Sequence, residues 1–161
     1  MHKKLNGIAL LLCTLSVSYL GLATPVAALA SQGSVETSDV VLTPHGYSNC
    51  LLTHGPGAQA TLSNMRCNDF TIRENNGLYT INNEYGNCLY VNASNEVTTV
   101  SGLCSFSNSH EAWQETKDKD NAAQFKNQFS HTLLMTFGTK NGDKVWVGTA
   151  HYNKWDIDKV Y

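Results

Sequence analysis

Two hydrophobic regimes divide the chain. Ile8 to Ala23 is an almost unbroken apolar run, interrupted only by Thr and Ser, whereas apolar residues after Ala30 arrive in short bursts between polar turns. The bursts Asp39–Leu42, Phe70–Ile72, Leu78–Ile81, Leu89–Val91, Val97–Val100, Leu133–Met135 and Lys144–Val147 are rich in β-branched and aromatic residues and predict strands. Between them stand turn signals: Glu74-Asn75-Asn76-Gly77, Tyr85-Gly86-Asn87, Asn92-Ala93-Ser94-Asn95 and Lys140-Asn141-Gly142-Asp143. Short strands at this pace predict an all-β sandwich or barrel-like fold. The one helix candidate is Ala112 to Phe129. Its charges at Lys117, Asp118, Lys119 and Asp120 lack an apolar stripe, so it reads mainly as a solvated loop.

The long apolar run is preceded by Met1-His2-Lys3-Lys4 and followed by Ala28-Leu29-Ala30, a small-x-small pattern. Together they predict a secretory signal peptide over 1–30 and a single domain over 31–161. No stop-transfer charges follow the run, so membrane insertion is not expected. Leu12 ahead of Cys13 argues against lipidation at that cysteine. The expected location is outside the cell, or the periplasm if the source is bacterial; the short Lys-Lys leader suits a bacterium. In a eukaryotic secretory route the sequon Asn92-Ala93-Ser94 would be open to glycosylation.

Charge narrows the partners. Of 11 Lys and Arg, Lys3 and Lys4 leave with the leader, so nine face 13 Asp and Glu and the net charge falls near −4. That balance provides no basic footprint for nucleic acid or anionic membranes.

The cysteines show a repeat. Asn49-Cys50-Leu51 is followed by Cys67, and Asn87-Cys88-Leu89 by Cys104; the first member recurs after 38 residues and the second after 37. Four cysteines allow three connectivities. A repeated unit that repeats its own bridge gives Cys50–Cys67 and Cys88–Cys104, each worth about 3 kcal/mol in the chain-entropy model. No close C-x₂-C pair is present, so zinc is not indicated.

More than cysteines recurs. From Cys88 the order is Cys-Leu-x-Val, an Asn-bearing turn, Val97, Cys104, then Glu111-Ala112-Trp113. From Cys50 it is Cys-Leu, the turn Gly55-Pro56-Gly57, Leu62, Cys67, then Asn68-Asp69-Phe70. A third copy, without cysteines, runs from Leu133 through Asn141-Gly142 and Val145-Trp146-Val147 to Asn153-Lys154-Trp155. This pattern resembles the ricin-B-type β-trefoil, whose repeats end in Gln-x-Trp. The resemblance spans roughly residues 44–161 and is clearest from Phe70 to Gln114.

The resemblance implies a single all-β trefoil of three repeats of about 40 residues, stapled by disulfides, with Phe70, Trp113 and Trp155 in a shared core. It also implies sugar sites. In that family a site uses an Asp two places after the first Cys, an aromatic shortly before the second, and polar residues just ahead of the repeat-ending Trp. This chain departs at the first point in every unit, where Leu52, Tyr90 and Met135 stand. What survives is Trp146 with Tyr152 and Asn153 in the third unit, and Tyr90 with His110 and Glu111 in the second. Those ligand-binding candidates (Trp146, Tyr152, Asn153, Tyr90 and Glu111) point to stacking on a pyranose face with polar groups forking onto hydroxyls.

Catalysis has little support. His45, His54, His110, His131 and His151 fall in no metal-binding spacing, and neither a Gly-x-Ser-x-Gly nor a paired-carboxylate signature occurs. No catalytic residue, metal or cofactor is expected. Two functions follow: a secreted carbohydrate-binding, lectin-like protein recognising cell-surface or polymer glycans, or a non-catalytic binding subunit of a multicomponent toxin. The cytolethal distending toxins have similar degenerate ricin-type subunits that hold a partner chain.

Overall fold

The computed structural model describes residues 34–149 and 152–160. The signal peptide predicted over 1–30, and His151 among the histidines, lie outside the described residues. Among the described residues there are twelve strands: β1 (Val35–Pro44), β2 (Cys50–Leu52), β3 (Thr61–Ser63), β4 (Phe70–Asn75), β5 (Leu78–Asn83), β6 (Cys88–Val91), β7 (Val97–Val100), β8 (Trp113–Lys117), β9 (Ala123–Asn127), β10 (Leu133–Thr136), β11 (Val145–Gly148) and β12 (Trp155–Lys159). No helix occurs among the described residues.

Six strands close a barrel. The antiparallel pairings run β1–β4–β5–β8–β9–β12 and back to β1. The other six form three hairpins outside it, β2–β3, β6–β7 and β10–β11. These hairpins bind one another through the backbone. Ala60 N–H donates to Val97 O at 2.7 Å, Val145 N–H to Ala60 O at 2.9 Å, and Val147 N–H to Asn95 O at 3.0 Å.

The predicted turns set the local geometry. Asn76 and Gly77 sit at φ 53° and 76°, between the paired residues Asn75 and Leu78. Positive φ at both central positions is what a two-residue type I′ hairpin demands, and Asn-Gly supplies it at little cost.

The segment Ala112–Phe129 is not a solvated loop. It is the β8–β9 hairpin, in register from Trp113↔Asn127 to Lys117↔Ala123. Trp113, Ala123, Phe125 and Asn127 are buried, while Gln114 and Lys126 face solvent. The charged run is only its tip, where Asp118 Oδ1 accepts the N–H groups of Asp120 and Ala122, both at 2.9 Å. Such an Asx turn uses the aspartate side chain to finish the reversal.

Phe70, Trp113 and Trp155 open β4, β8 and β12, and all three are fully buried with Leu42, Leu51, Leu62, Ile81, Leu89, Phe125 and Leu134. Burial of each such ring contributes a few kcal/mol. Trp155 Nε1 donates to Leu134 O at 3.0 Å, whereas Trp113 Nε1 has no partner among the described residues.

Both bridges form as the repeat predicts, Cys50–Cys67 and Cys88–Cys104, with Cα atoms 5.5 and 5.0 Å apart. Each ties the first strand of an outer hairpin to the segment that leads back into the barrel. The cysteine-free hairpin β10–β11 uses hydrogen bonds at that place. Thr136 forms an isolated antiparallel bridge with Tyr152, its N–H donating to Tyr152 O at 3.1 Å, and its hydroxyl donates to Gly138 O at 2.8 Å.

Candidate functional site

The polar residues two places before each core aromatic all have partners within the protein, local ones for Glu111 and distant ones for Asn68 and Asn153. Asn68 is buried; its Oδ1 accepts from Thr53 N–H and Thr53 Oγ1, and its Nδ2 donates to Glu84 Oε1 at 2.7 Å. Glu111 is buried as well, with Oε2 accepting Ser105 N–H at 2.7 Å and Oε1 accepting from Asn108 Nδ2. Both of its oxygens are therefore spent inside the protein, which makes it a turn-holding group. Asn153 Oδ1 accepts from Gln124 Nε2 at 3.1 Å and is half-buried.

In the second unit, Tyr90 on β6 stacks on His110 with ring centroids 5.0 Å apart and planes within 10°. His110 stacks in turn on Phe129 at 3.7 Å. His110 Nδ1 lies 2.6 Å from Val91 O, and since a carbonyl only accepts, that nitrogen carries a proton. Tyr90 thus gives one face to an internal stack in which the imidazole has rings on both sides.

The third-unit candidates separate into two neighbourhoods. Trp146 on β11 is half-buried, paired with Met135 and bridged to Glu96. Tyr152 instead meets Tyr47 edge-on at 5.2 Å. Tyr152 and Asn153 border a recess of only about 110 Å³ with His45 and Lys154. There His45 Nδ1 bonds Asp156 Oδ1 at 2.7 Å, and Lys154 pairs with Asp118.

A larger polar cleft lies in the first unit, where sequence reasoning had not placed one. It encloses about 410 Å³ between the end of β2 and the β5–β6 turn, bordered by Leu52, Thr53, His54, Arg66, Tyr85 and Asn87. Antiparallel pairing of β4 with β5 sets Asn83 opposite Phe70, and so carries the Tyr85-Gly86-Asn87 turn back to Asn68. Tyr85 is 58% exposed, and its hydroxyl bonds the Arg66 guanidinium. Its hydrogen bond to Glu84 also lifts the phenol above its ordinary value. Burial works against ionisation of Glu84, but bonds from Asn68 and Tyr85 outweigh it and hold the carboxyl below its usual range. His54 Nε2 sits 3.1 Å from Thr61 Oγ1.

The cleft is thus rich in donors around one exposed aromatic ring. Two signals lay in the sequence: Arg66 directly precedes Cys67, and Tyr85 opens the turn before Cys88. Neither matched the aromatic-and-carboxylate pattern of the resembled family.

A cavity of similar size, about 410 Å³, opens at the end of the barrel beside Val35, Ile72, Tyr79 and Ile157. Its charged groups already have partners: Lys117 pairs with Glu115, and Glu74 Oε1 accepts Gly77 N–H at 2.6 Å. Apolar walls remain. Among the described residues no cluster of three His, Cys, Asp or Glu could hold a metal, and no helix is long and apolar enough to cross a membrane.

No protein-family model matches the chain, and no curated protein matches its sequence. Solved structures do match. A designed 3-fold symmetric protein, ThreeFoil, aligns with TM-score 0.63 at 13% identity, over 75% of this chain and 98% of its own. A mosquitocidal holotoxin aligns at TM-score 0.66 and 14% identity over 80% of this chain, which spans 18% of the toxin chain. The Polyporus squamosus lectin, bound to a human-type influenza-binding epitope, gives 0.58 and 14% over 76% of this chain and 49% of the lectin. These neighbours are β-trefoil folds of lectin-like and toxin-like proteins, and at such identities the likeness defines the fold alone.

Proposed function

We propose that this chain is a secreted, non-enzymatic glycan-binding protein built as a three-repeat β-trefoil of the ricin-B type. The first-unit cleft carries the reading: an exposed Tyr85 ring beside Arg66, His54 and Asn87, over a floor fixed by Asn68 and Thr53. An amphipathic ring flanked by fixed polar groups is what a pyranose requires, one apolar face to stack on and adjacent hydroxyls to hold. The lectin-like neighbours support the class, and the two disulfides fit an oxidising compartment. A single shallow site of this kind binds weakly, so biological grip would come from display in several copies.

A binding subunit of a multicomponent toxin is the second reading. It is favoured by the exposed apolar side chains Met65 (89%) and Leu103 (70%), and by toxin neighbours such as the Haemophilus ducreyi cytolethal distending toxin.

A glycan-array screen of the oxidised protein tests the choice, with Tyr85→Ala and Trp146→Ala run alongside. Binding to a defined glycan class that Tyr85→Ala removes and Trp146→Ala spares is the expected result. Array silence from a folded, fully bridged sample would move the assignment to the toxin subunit.

A further inference from the structure

We infer that the first-unit cleft takes an acidic sugar, a pyranose whose carboxylate is forked by the Arg66 guanidinium while its ring lies on Tyr85. The inference rests on the glycan-binding reading of that cleft and names its ligand class.

The border of the cleft holds one guanidinium and no carboxylate. A neutral sugar presents hydroxyls that donate as well as accept, so a site built for one needs a strong acceptor beside its donors. Here the strong acceptor is missing and the strong donor is present.

Arg66 is free to act. A guanidinium carries several N–H donors in a fixed fork. Among the described residues the Arg66 side chain bonds the Tyr85 hydroxyl and enters no ion pair. That hydroxyl donates its own proton to Glu84, so toward Arg66 it accepts, and the guanidinium is held at the edge of the ring. Glu84 Oε1 is itself taken by Asn68 Nδ2 at 2.7 Å, and Glu84 borders the neighbouring cavity. Arg66 therefore keeps N–H groups for an incoming anion.

The donors are positioned in advance. Ser63 Oγ accepts the N–H groups of Met65 and Arg66 at 3.2 and 3.1 Å, and the bridge to Cys50 fixes Cys67 directly after them. Asn87 exchanges both of its backbone hydrogen bonds with Asn83, each at 2.9 Å. Its half-buried carboxamide has no partner among the described residues and remains accessible, so Nδ2 adds a second donor.

Geometry selects the anion. A carboxylate carried directly on a stacked pyranose reaches a guanidinium at the ring edge and matches its fork with two coplanar oxygens. A sulfate ester places its charge two bonds further out. Overall charge contributes nothing, since nine Lys and Arg face 13 Asp and Glu beyond the predicted leader. A preference for an acidic ring therefore has to arise locally.

NMR titration of the isotope-labelled, oxidised protein at neutral pH tests this. The probes are methyl glucuronide against methyl glucoside, methyl galacturonide against methyl galactoside, and glucose 6-sulfate. At least one uronide is expected to bind about tenfold more tightly than its neutral partner, as one charge-assisted contact allows. Arg66→Gln, an exposed substitution checked for an unchanged melting temperature, should bring the pair to near parity. Tyr85→Ala should weaken both members.

The comparison of probes on the native protein needs no variant. Equal affinity within each pair, or array binding confined to neutral glycans, would overturn the acidic class and leave glycan binding standing. A preference that survives Arg66→Gln, or a sulfate that binds as tightly as the uronide, would overturn it too. No response to any probe, together with a silent array, would overturn both readings.

Discussion

Asn68 Oδ1 accepts two hydrogen bonds from one residue, the N–H of Thr53 at 2.6 Å and its hydroxyl at 2.7 Å. A side chain directly after Cys67 thereby pins the residue that follows β2. The same Thr53 hydroxyl accepts from Asn83 Nδ2 at 2.9 Å, so the end of β5 joins the network. Three segments distant in sequence are held by one amide at the floor of the cleft.

Removing that amide should be expensive. Asn68→Ala strands a buried N–H and a buried hydroxyl, each costing about 1–3 kcal/mol. The expected loss is about 3 kcal/mol in a urea or guanidinium titration. A loss below about 0.5 kcal/mol, the range of ordinary surface changes, would show that the network carries little weight.

The two core tryptophans should respond unequally to Phe. Trp155→Phe removes a donor from Leu134 O, whereas Trp113→Phe removes an N–H that has no partner. Both lose ring area, but only the first breaks a bond. Trp155→Phe should be the more destabilising by about 1 kcal/mol, read from the same titrations.

Each disulfide closes a short loop, over sequence separations of 17 and 16. Paired Cys→Ser replacement at Cys50 and Cys67, or at Cys88 and Cys104, should cost about 3 kcal/mol each. The double removal should approach their sum, since the bridges lie in different units. Denaturation midpoints with and without reductant provide the check.

The His45–Asp156 pair makes stability depend on pH. The hydrogen bond His45 donates to Asp156, followed by the carboxylate's charge, raises His45 above its ordinary 6.5. A raised folded-state value stabilises fully below 6.5 and loses that effect as pH climbs through the folded value. The effect is modest, because both side chains are over a third exposed and salt screens them. Melting temperatures should therefore show the native protein's advantage over Asp156→Asn shrinking as pH rises past neutrality. An advantage that stays flat or grows with pH would contradict the pairing.

The barrel and its core were legible because their signals are local. Asn76-Gly77 dictates its own turn, and Phe70, Trp113 and Trp155 announce themselves by size and spacing. The β8–β9 hairpin was harder to read. Polar residues on both faces, outward Gln114, Thr116 and Lys126 and the inward Glu115 paired with Phe125, diluted a two-residue alternation, and the charged tip obscured the reversal that Asp118 completes. β2 and β3, three residues each, are too short to form a pattern at all.

The sequence alone determined the cysteine repeat and its bridges, the strand-rich character and the three core aromatics, since each depends on residue type and spacing along one stretch. The tertiary structure decided the sites. It turned Glu111 inward, enclosed His110 between two rings and gave Trp146 and Tyr152 different neighbours. It also brought Arg66 and Tyr85 together across a unit boundary. Antiparallel pairing of β4 and β5 creates that proximity, and no reading along the chain contains it.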